Sequence, residues 1–413
     1  RGAADIYLTL ATGLDGTAMP SYAPALSAPD LLALAAYVAI GRTFPDDSTV
    51  ASVLAPRPRA DGTMTVGLSL PPQGASPPTL PPAAASLSAA QCGRCHAKQQ
   101  REWSGSLHGK AASPGLLGQL VGATPAVVRS CQSCHAALAE QLPGQPGYDD
   151  VLRSEGVTCA ACHLRGQRRF GPPRRRDSTL LPIASYPFSP DPAFERSDFC
   201  LPCHQLSPAD AVAGRPLLDT YREWLLGPYM RRGVQCQHCH MPDREHMWKG
   251  AHDPETVRQG LSIVAAARRD ANGVAAEVSA TNVGAGHFLP TTVTPAIWIT
   301  VELRHGEEVL VSETKRVGRK VVWEGKSWKE LEDTRIPPGG KLTFAPRFAG
   351  KVANRATALA VTVTMDPDDY YAGLYRSLLA RSQPEEKRRL LAAALAKAEK
   401  SRFVVWDKTV TLR

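Results

Sequence analysis

The stretch "RRGVQCQHCHMP", residues 231–242, places two cysteines and two histidines within five positions. Three kinds of site use such residues: half of a zinc site, a redox-active Cys-x-x-Cys pair, and the attachment sequence of a c-type haem. A single copy of the motif does not distinguish between these three interpretations.

The same Cys-x-x-Cys-His pattern occurs four more times upstream, and all ten cysteines of the chain belong to the five copies. Histidine makes up only 11 of 413 residues, so its position directly after every second cysteine is not a chance arrangement. Zinc and disulfide frameworks require no such adjacency, and the pattern therefore favours five c-type haems, with zinc as the remaining alternative. The cysteines predicted to bind haem are Cys92 and Cys95, Cys131 and Cys134, Cys159 and Cys162, Cys200 and Cys203, and Cys236 and Cys239.

The spacing within each motif has a chemical reason. Positions i, i+3 and i+4 share one face of a helical turn, so two thiols can bond the haem vinyl groups while the histidine reaches the iron. The predicted proximal iron ligands are His96, His135, His163, His204 and His240.

The formal charge of +9 does not by itself indicate a nucleic-acid or membrane partner. Five haems would add about −10 from their propionates and about +5 from ferric iron centres, leaving about +4 when oxidised and about −1 when reduced. The arginine-rich stretch "LRGQRRFGPPRRR", residues 164–176, is expected to pair with propionates or to steer an acidic redox partner.

Changes in composition and periodicity divide the chain into five parts. We predict an N-terminal segment at 1–43, a linker rich in Pro and Ala at 44–85 and a pentahaem domain at 86–260. A β-sandwich at 261–366 and a helical tail with a terminal strand at 367–413 follow. The expected fold class is a mainly α multihaem domain joined to this C-terminal β-sandwich and tail.

The β-sandwich prediction depends on alternating apolar residues around two turns. The segments on either side of Asn272-Gly273 and of His305-Gly306 each predict a hairpin, and "ALAVTVTM", residues 358–365, alternates in the same way. The tail predicts two helices broken near Gln383-Pro384.

The location is expected to be periplasmic or extracellular. The longest apolar run, residues 31–40, is too short to cross a bilayer, and no signal peptide opens the sequence. Because c-type haem is attached after export, the cysteine pattern implies an exported chain with its leader removed and no transmembrane segment.

Several segments resemble the multihaem cytochrome c superfamily. "CGRCHAKQQREWSGSLHGKAA" is similar to the first haem segment of the group that includes the nitrification tetrahaem cytochrome, hydroxylamine oxidoreductase and pentahaem nitrite reductase. The resemblance implies that His108 binds the far face of a haem. "REWLLGPYMRRGVQCQHCHMP" resembles the last haem segment of that superfamily, and "TNVGAGHFLPT" resembles the entry to the β-domain of related cytochromes. The catalytic lysine motif of the nitrite reductase and a marker for the crosslinking tyrosine of the hydroxylamine enzyme are both missing, which argues against inherited catalysis.

The N-terminal segment resembles the second half of a monohaem class I cytochrome c. Residues 1–43 are expected to form a loop and then a helix, with Ser27 and Asp30 as a capping box. In that resemblance Met19 is an iron ligand. No Cys-x-x-Cys-His motif precedes it, so the segment either belonged with a sixth haem in a missing upstream portion or is a relic that only packs.

Each haem iron needs a second axial ligand unless it binds substrate, and imidazole is the usual donor. Besides His108, the chain offers His246, His252 and His287 as distal ligands. His238 lies within its own motif and points away from the iron that His240 holds, and His305 occupies a predicted turn, so neither is expected to bind iron.

A weak internal repeat aligns "REWSGSLH", residues 101–108, with "REWLLGPY", residues 222–229. The repeat places Tyr229 where the first copy has His108, and the simplest interpretation of Tyr229 is a packed aromatic residue.

The sequence therefore predicts an electron carrier with a chain of five haems between exported redox partners or other cytochromes, more than an enzyme. Two alternatives stay open: a haem enzyme acting on a small nitrogen or sulfur species at a five-coordinate haem, and a subunit of a cytochrome filament or complex that receives a ligand from its neighbour. Five irons and four distal histidines leave one face to be open, bound by methionine or ligated by another chain.

Overall fold

The computed structural model describes residues 3–13, 85–174, 188–207 and 211–412, together with residues 70 and 72–74 and scattered residues between 21 and 38. Met19, most of the predicted linker, and Arg175 and Arg176 lie outside these described residues. Within them, no helix is both long enough and apolar enough to span a membrane.

The N-terminal segment begins with helix α1, Ala3–Thr12, where the sequence predicted a loop. Its apolar residues pack with those of the following segment, and Leu10, Leu31 and Ala35 form a small buried cluster. One of the two capping-box bonds is present, since the Asp30 backbone N–H donates to the Ser27 hydroxyl at 3.4 Å, and that hydroxyl donates to the Asp30 carboxylate at 2.5 Å.

The haem-motif region consists of short helices. Its helices are α2 (Ala89–Gly93), α3 (Ala97–Gly105), α4 (Pro114–Leu120), α5 (Pro125–His135), α6 (Asp150–Ser154), α7 (Cys159–His163), α8 (Leu201–His204), α9 (Thr220–Leu226), α10 (Pro228–Arg231), α11 (Cys236–His240) and α12 (Pro254–Gly260). Four 3₁₀ turns at Ala139–Gln141, Pro192–Glu195, Ser197–Phe199 and Pro242–Arg244 connect them. Such short helices bury little apolar surface of their own, as expected if haems supply part of the core.

A small sheet lies inside this region. Strand β1 (Leu164–Arg165) pairs antiparallel with β2 (Arg168–Gly171), which pairs parallel with β3 (Phe188–Pro190). The arginine-rich stretch is therefore partly a strand: Arg168 is exposed and lies 5.5 Å from the Phe170 ring, whereas Arg169 is buried.

Two antiparallel sheets make up the C-terminal sandwich. The strands are β4 (Leu261–Asp270), β5 (Gly273–Asn282), β6 (Ala296–His305), β7 (Glu308–Val317), β8 (Arg319–Trp323), β9 (Trp328–Asp333), β10 (Lys341–Phe344), β11 (Arg347–Phe348), β12 (Ala358–Asp366) and β13 (Phe403–Thr411), with helix α13 (Gly350–Arg355) before β12. In one sheet β5 pairs with β4, β10 and β11, and in the other the strand order is β13, β12, β6, β7. Strands β8 and β9 form a separate hairpin.

The two sheets share one core. Val278 of the first sheet and Ile299 and Val363 of the second are fully buried in the same cluster. Alternate residues of β5 and β6 point into this core, which is the pattern of a strand with one solvated face. At the first hairpin turn Gly273 has φ 128°, and a Cβ there would lie 2.0 Å from the Phe348 carbonyl oxygen, so glycine is required.

The tail contains two helices, α14 (Asp369–Leu379) and α15 (Glu385–Ala398), with Pro384 at the start of the second. Leu391 of α15 packs against Gly118 of α4, so the tail contacts the haem-motif region. The chain then returns to the sandwich, because β13 pairs with β12 over its whole length.

Both predicted hairpins and the strand over 358–366 lie where the alternation placed them. The described residues form a mixed α and β fold, in which short helices and one small sheet make up the motif region and strands dominate the C-terminal part. The haem motifs produce only short helical turns, whereas ten strands build the C-terminal part.

Candidate functional site

Each haem motif forms a helical turn in the structure. Motifs 2, 3 and 5 end helices α5, α7 and α11, and motif 4 occupies α8 with Cys200 as the N-cap. Motif 1 bridges α2 and α3, and the backbone N–H of His96 donates to the Cys92 carbonyl at 2.9 Å. The turn brings the first cysteine and the histidine of each motif to one face, as thioether attachment requires.

None of the ten motif cysteines forms a disulfide, and six of them contact a thiol of another motif in three pairs. Cys92 shares a hydrogen bond with Cys159, Cys134 with Cys203, and Cys236 with Cys200. Each of these bonds lowers the pKa of the first-named thiol of its pair. Motif 1 therefore lies beside motif 3, motif 2 beside motif 4, and motif 4 beside motif 5.

Three motif histidines are oriented by backbone carbonyls. The Nδ1 atoms of His135, His163 and His240 lie 3.1 Å, 2.8 Å and 2.5 Å from the carbonyl oxygens of Ala111, Phe170 and Lys249. When Nδ1 donates its proton in this way, Nε2 is left free to bind a metal, which is the usual arrangement of metal-binding histidines.

Three motif histidines face a second histidine across a gap. The ring centroids are 6.1 Å apart for His204 and His108, 6.1 Å for His163 and His246, and 6.2 Å for His240 and His287. The corresponding angles between ring planes are 83°, 34° and 13°.

This gap fits one haem iron. A metal–nitrogen bond of about 2 Å on each side, plus roughly 1 Å from each nitrogen to its ring centre, gives a separation of about 6 Å. Imidazoles in direct contact would lie closer, so the separation matches a pair of axial ligands with the metal between them.

Burial keeps five of the six facing histidines in the neutral form. Burial lowers the pKa of His108 to about 3 and that of His204 to about 4, and it also lowers the pKa values of His240, His246 and His287. Neutral imidazole is the form that binds iron, so these rings are ready for ligation at ordinary pH.

Two of the distal rings carry an unsatisfied nitrogen. Among the described residues, the buried Nδ1 atoms of His108 and His246 have no hydrogen-bond partner. Buried polar atoms are normally paired, so the described polypeptide alone does not satisfy these two rings.

The other histidines are engaged elsewhere. His252 lies 3.1 Å from the Asp368 carboxylate through its Nε2. The Nδ1 of His238 accepts the Gln235 backbone N–H at 2.9 Å, and the Nδ1 of His305 lies 2.9 Å from a backbone carbonyl at the surface. Within the described part of the chain, none of these three forms a ring pair with a motif histidine.

Two of the five motif histidines are not part of a histidine ring pair within the described residues. In the ranges that the structure describes, neither His96 nor His135 faces a second imidazole at the 6 Å spacing. The predicted ligand His252 is thus not assigned to either of them by geometry, and its role stays a prediction.

Trp248 is a site residue that the sequence analysis missed. Its ring lies 4.4 Å from His108 and 5.3 Å from His246, nearly perpendicular to both, and therefore separates the distal histidines of motifs 4 and 3. Its φ of 44° is unusual for a bulky residue and indicates that packing holds it in place. The only sequence signal was an aromatic residue two positions after His246.

Two glycines allow the loop that follows β5 of the sandwich to pack closely against the chain around motif 5. A Cβ on Gly284 would lie 2.3 Å from the Gln259 carbonyl oxygen, and a Cβ on Gly286 would lie 3.1 Å from the Tyr229 side chain. The loop therefore passes close to Gln259 and Tyr229. Tyr229 packs here and donates its hydroxyl to the Val283 carbonyl at 3.2 Å, as expected of a packed aromatic residue.

Comparison with known proteins indicates which class of protein has motifs of this kind. Residues 91–164, which contain the first three motifs, match the family model described as cytochrome c554 and c-prime. Both the match and the structural comparison below support a multihaem c-type cytochrome.

The structural comparison concerns the fold. The chain is similar to the crystal structure of a penta-heme cytochrome c552 from Thermochromatium tepidum, with a TM-score of 0.57 and 18% sequence identity. The similarity covers 80% of this chain and 100% of the cytochrome c552 chain. No curated protein matches the sequence.

Proposed function

We propose that the chain is an electron carrier with five covalently bound c-type haems, one on each Cys-x-x-Cys-His motif. The observation that carries the proposal is the spacing of 6.1–6.2 Å between three motif histidines and a second histidine. The three axial pairs are His204 with His108, His163 with His246, and His240 with His287.

When bound, haem supplies one-electron chemistry at its iron, and the side chains described here set the conditions for it. The motif cysteines hold the group, and the paired imidazoles hold the iron and occupy both of its faces. Burial keeps those imidazoles neutral.

The contacts between motifs support a continuous array of haems. Thiol contacts join motif 1 to motif 3, motif 2 to motif 4, and motif 4 to motif 5. Trp248 contacts the distal histidines of motifs 3 and 4 and connects the two groups. Electrons would then pass between motifs in a spatial order that differs from their order in the sequence.

The proposed setting is the periplasm or the cell exterior, since c-type haem attachment follows export. The partners would be other redox proteins or cytochromes. Exposed arginines such as Arg168 could help to steer an acidic partner.

A second candidate function follows from motifs 1 and 2. Because His96 and His135 face no second imidazole among the described residues, their irons are the places where a small molecule or a ligand from a neighbouring chain could bind. An open iron would support a haem enzyme, and a ligand from another chain would support a subunit of a larger cytochrome assembly.

The test is a count of low-spin and high-spin haems in the ferric holoprotein by electronic and EPR spectroscopy. Electron transport through paired histidines predicts at least three low-spin haems, and fewer than three would contradict the axial pairs. An additional high-spin haem that binds cyanide in the monomer favours the enzyme. A high-spin haem that becomes low-spin as the protein concentration rises favours a ligand from a second chain.

A further inference from the structure

The internal repeat of the sequence has a structural counterpart in two glutamate–tryptophan pairs. Glu102 and Trp103 lie on α3, and Glu223 and Trp224 lie on α9. Both tryptophans are buried. Each helix ends in the same way, with a backbone N–H bonding to the tryptophan carbonyl at 3.0 Å.

The two tryptophans make equivalent bonds to the chain that enters a haem motif. The indole N–H of Trp103 donates to the Val157 carbonyl at 2.7 Å, and that of Trp224 donates to the Val234 carbonyl at 2.8 Å. Each valine lies two residues before the first cysteine of its motif, motif 3 for Val157 and motif 5 for Val234.

The two glutamates make equivalent bonds to the chain that carries a distal histidine. The Glu102 carboxylate accepts the backbone N–H of His246 at 2.9 Å, and the Glu223 carboxylate accepts the backbone N–H of Phe288 at 3.0 Å. Phe288 directly follows His287.

The bonds of one pair therefore converge on one haem site. Glu102 and Trp103 hold both sides of the His163 and His246 site, and Glu223 and Trp224 hold both sides of the His240 and His287 site. We propose that each glutamate–tryptophan pair is a positioning clamp that fixes the proximal and distal segments of one haem relative to each other. This inference depends on haem binding at motifs 3 and 5, as argued under the proposed function.

The two clamps differ in their electrostatics. Glu223 accepts a 2.7 Å hydrogen bond from Arg335, whose side chain is completely buried and also pairs with Asp333. The partner of Glu102 is Lys98 at 3.4 Å, whose side chain is 60% exposed and therefore screened by water. Removing the charge of Glu223 makes the surroundings of the motif 5 haem more positive, and this favours the reduced haem.

The clamps can be tested with Trp103→Phe and Trp224→Phe in the haem-loaded protein, with Trp406→Phe in β13 as the matched control. Phenylalanine keeps most of the ring packing and removes the N–H donor. The variants His246→Ala and His287→Ala define which EPR signals belong to motifs 3 and 5. We expect Trp103→Phe to weaken only the motif 3 signal, Trp224→Phe only the motif 5 signal, and the control neither.

The clamp proposal would be overturned if either variant weakened both signals to the same extent, or if it weakened neither signal. Haem content measured on the same samples keeps this outcome separate from failure of the proposed function. A variant that holds five haems but has the wrong signal pattern rejects the clamp alone.

The glutamates provide a second readout. Glu102→Ala and Glu223→Ala should reproduce the selective losses, and Glu102→Gln should restore the motif 3 signal because the amide oxygen accepts the same N–H bond and the exposed Lys98 can bond to water instead. Glu223→Gln should also raise the midpoint potential of the motif 5 haem, whereas Glu102→Gln should shift the motif 3 haem much less. An unchanged or lowered potential in Glu223→Gln would contradict the electrostatic part of the inference.

Discussion

His108 and His204 differ from the other facing pairs in their ring orientation. Their planes are nearly perpendicular at 83°, whereas the planes of His240 and His287 are nearly parallel at 13°. The relative orientation of axial imidazoles controls how far the iron d-orbitals split, so these two haems should give different low-spin EPR signals. The motif 4 haem should give the more anisotropic signal.

Replacing His108 with alanine should abolish this anisotropic signal and turn one haem high-spin, because the iron at motif 4 loses its second imidazole. EPR and the electronic spectrum of the ferric protein measure both changes. His305→Ala is the control, since His305 lies at the surface and bonds to a backbone carbonyl. An unchanged spectrum in His108→Ala would remove His108 from the ligand set.

Trp248 should affect two haems at once, because its ring contacts both His108 and His246. Trp248→Ala removes the ring that separates these histidines, and the low-spin signals of motifs 3 and 4 should both lose intensity. Trp248→Phe retains an aromatic ring and should preserve most of that intensity. If Trp248→Ala perturbs only one of the two signals, its proposed bridging position is wrong.

At the scale of elements, the loop between β5 and β6 places His287, the proposed distal ligand of motif 5, beside the motif region. This loop passes so close to α12 that only glycine fits at Gly284. The position of His287 therefore depends on contact between the C-terminal sandwich and the helices of the motif region.

Gly284→Ala should displace this loop, because the new Cβ would lie 2.3 Å from the Gln259 carbonyl oxygen. We expect a loss of about 1–3 kcal/mol in the free energy of unfolding, as for other overpacked sites. The low-spin signal of the motif 5 haem should also decrease. Gly373→Ala in α14 is the control, since no atom lies within 4 Å of its added Cβ. Equal stability and spectra in both variants would reject this account of the loop.

The sequence predicted the elements best where local patterns are complete. Alternation located the hairpins around Asn272-Gly273 and His305-Gly306, and the Cys-x-x-Cys-His spacing located the motif turns. The helix at Ala3–Thr12 was missed, and the strands β8 to β11 were not predicted. These strands are short or irregular, so tertiary pairing determines them more than local alternation.

The candidate ligands were found by counting histidines, but their pairing was beyond the reach of the sequence. His246 meets a motif 83 residues earlier in the chain, and His108 meets one 96 residues later. Such pairings depend on long-range packing, which spacing along one chain does not encode. The geometry pairs three of the four predicted distal histidines with a motif, and the role of His252, which contacts Asp368, stays a prediction.

At the scale of the whole molecule, bound haems would form part of the buried core as well as carry electrons. The helices that carry the motifs are 4–11 residues long, and the largest buried apolar cluster of the described residues belongs to the sandwich. Helices this short are unstable in isolation, so the motif region should depend on its prosthetic groups for folding.

The central claim is that all five motifs carry haem, and the intact mass of the purified, reduced and denatured protein tests it most directly. Thioether bonds survive denaturation, so the account predicts a mass that exceeds that of the polypeptide by five haem groups. A mass equal to that of the polypeptide alone, in a preparation that contains zinc and no haem, would contradict the account.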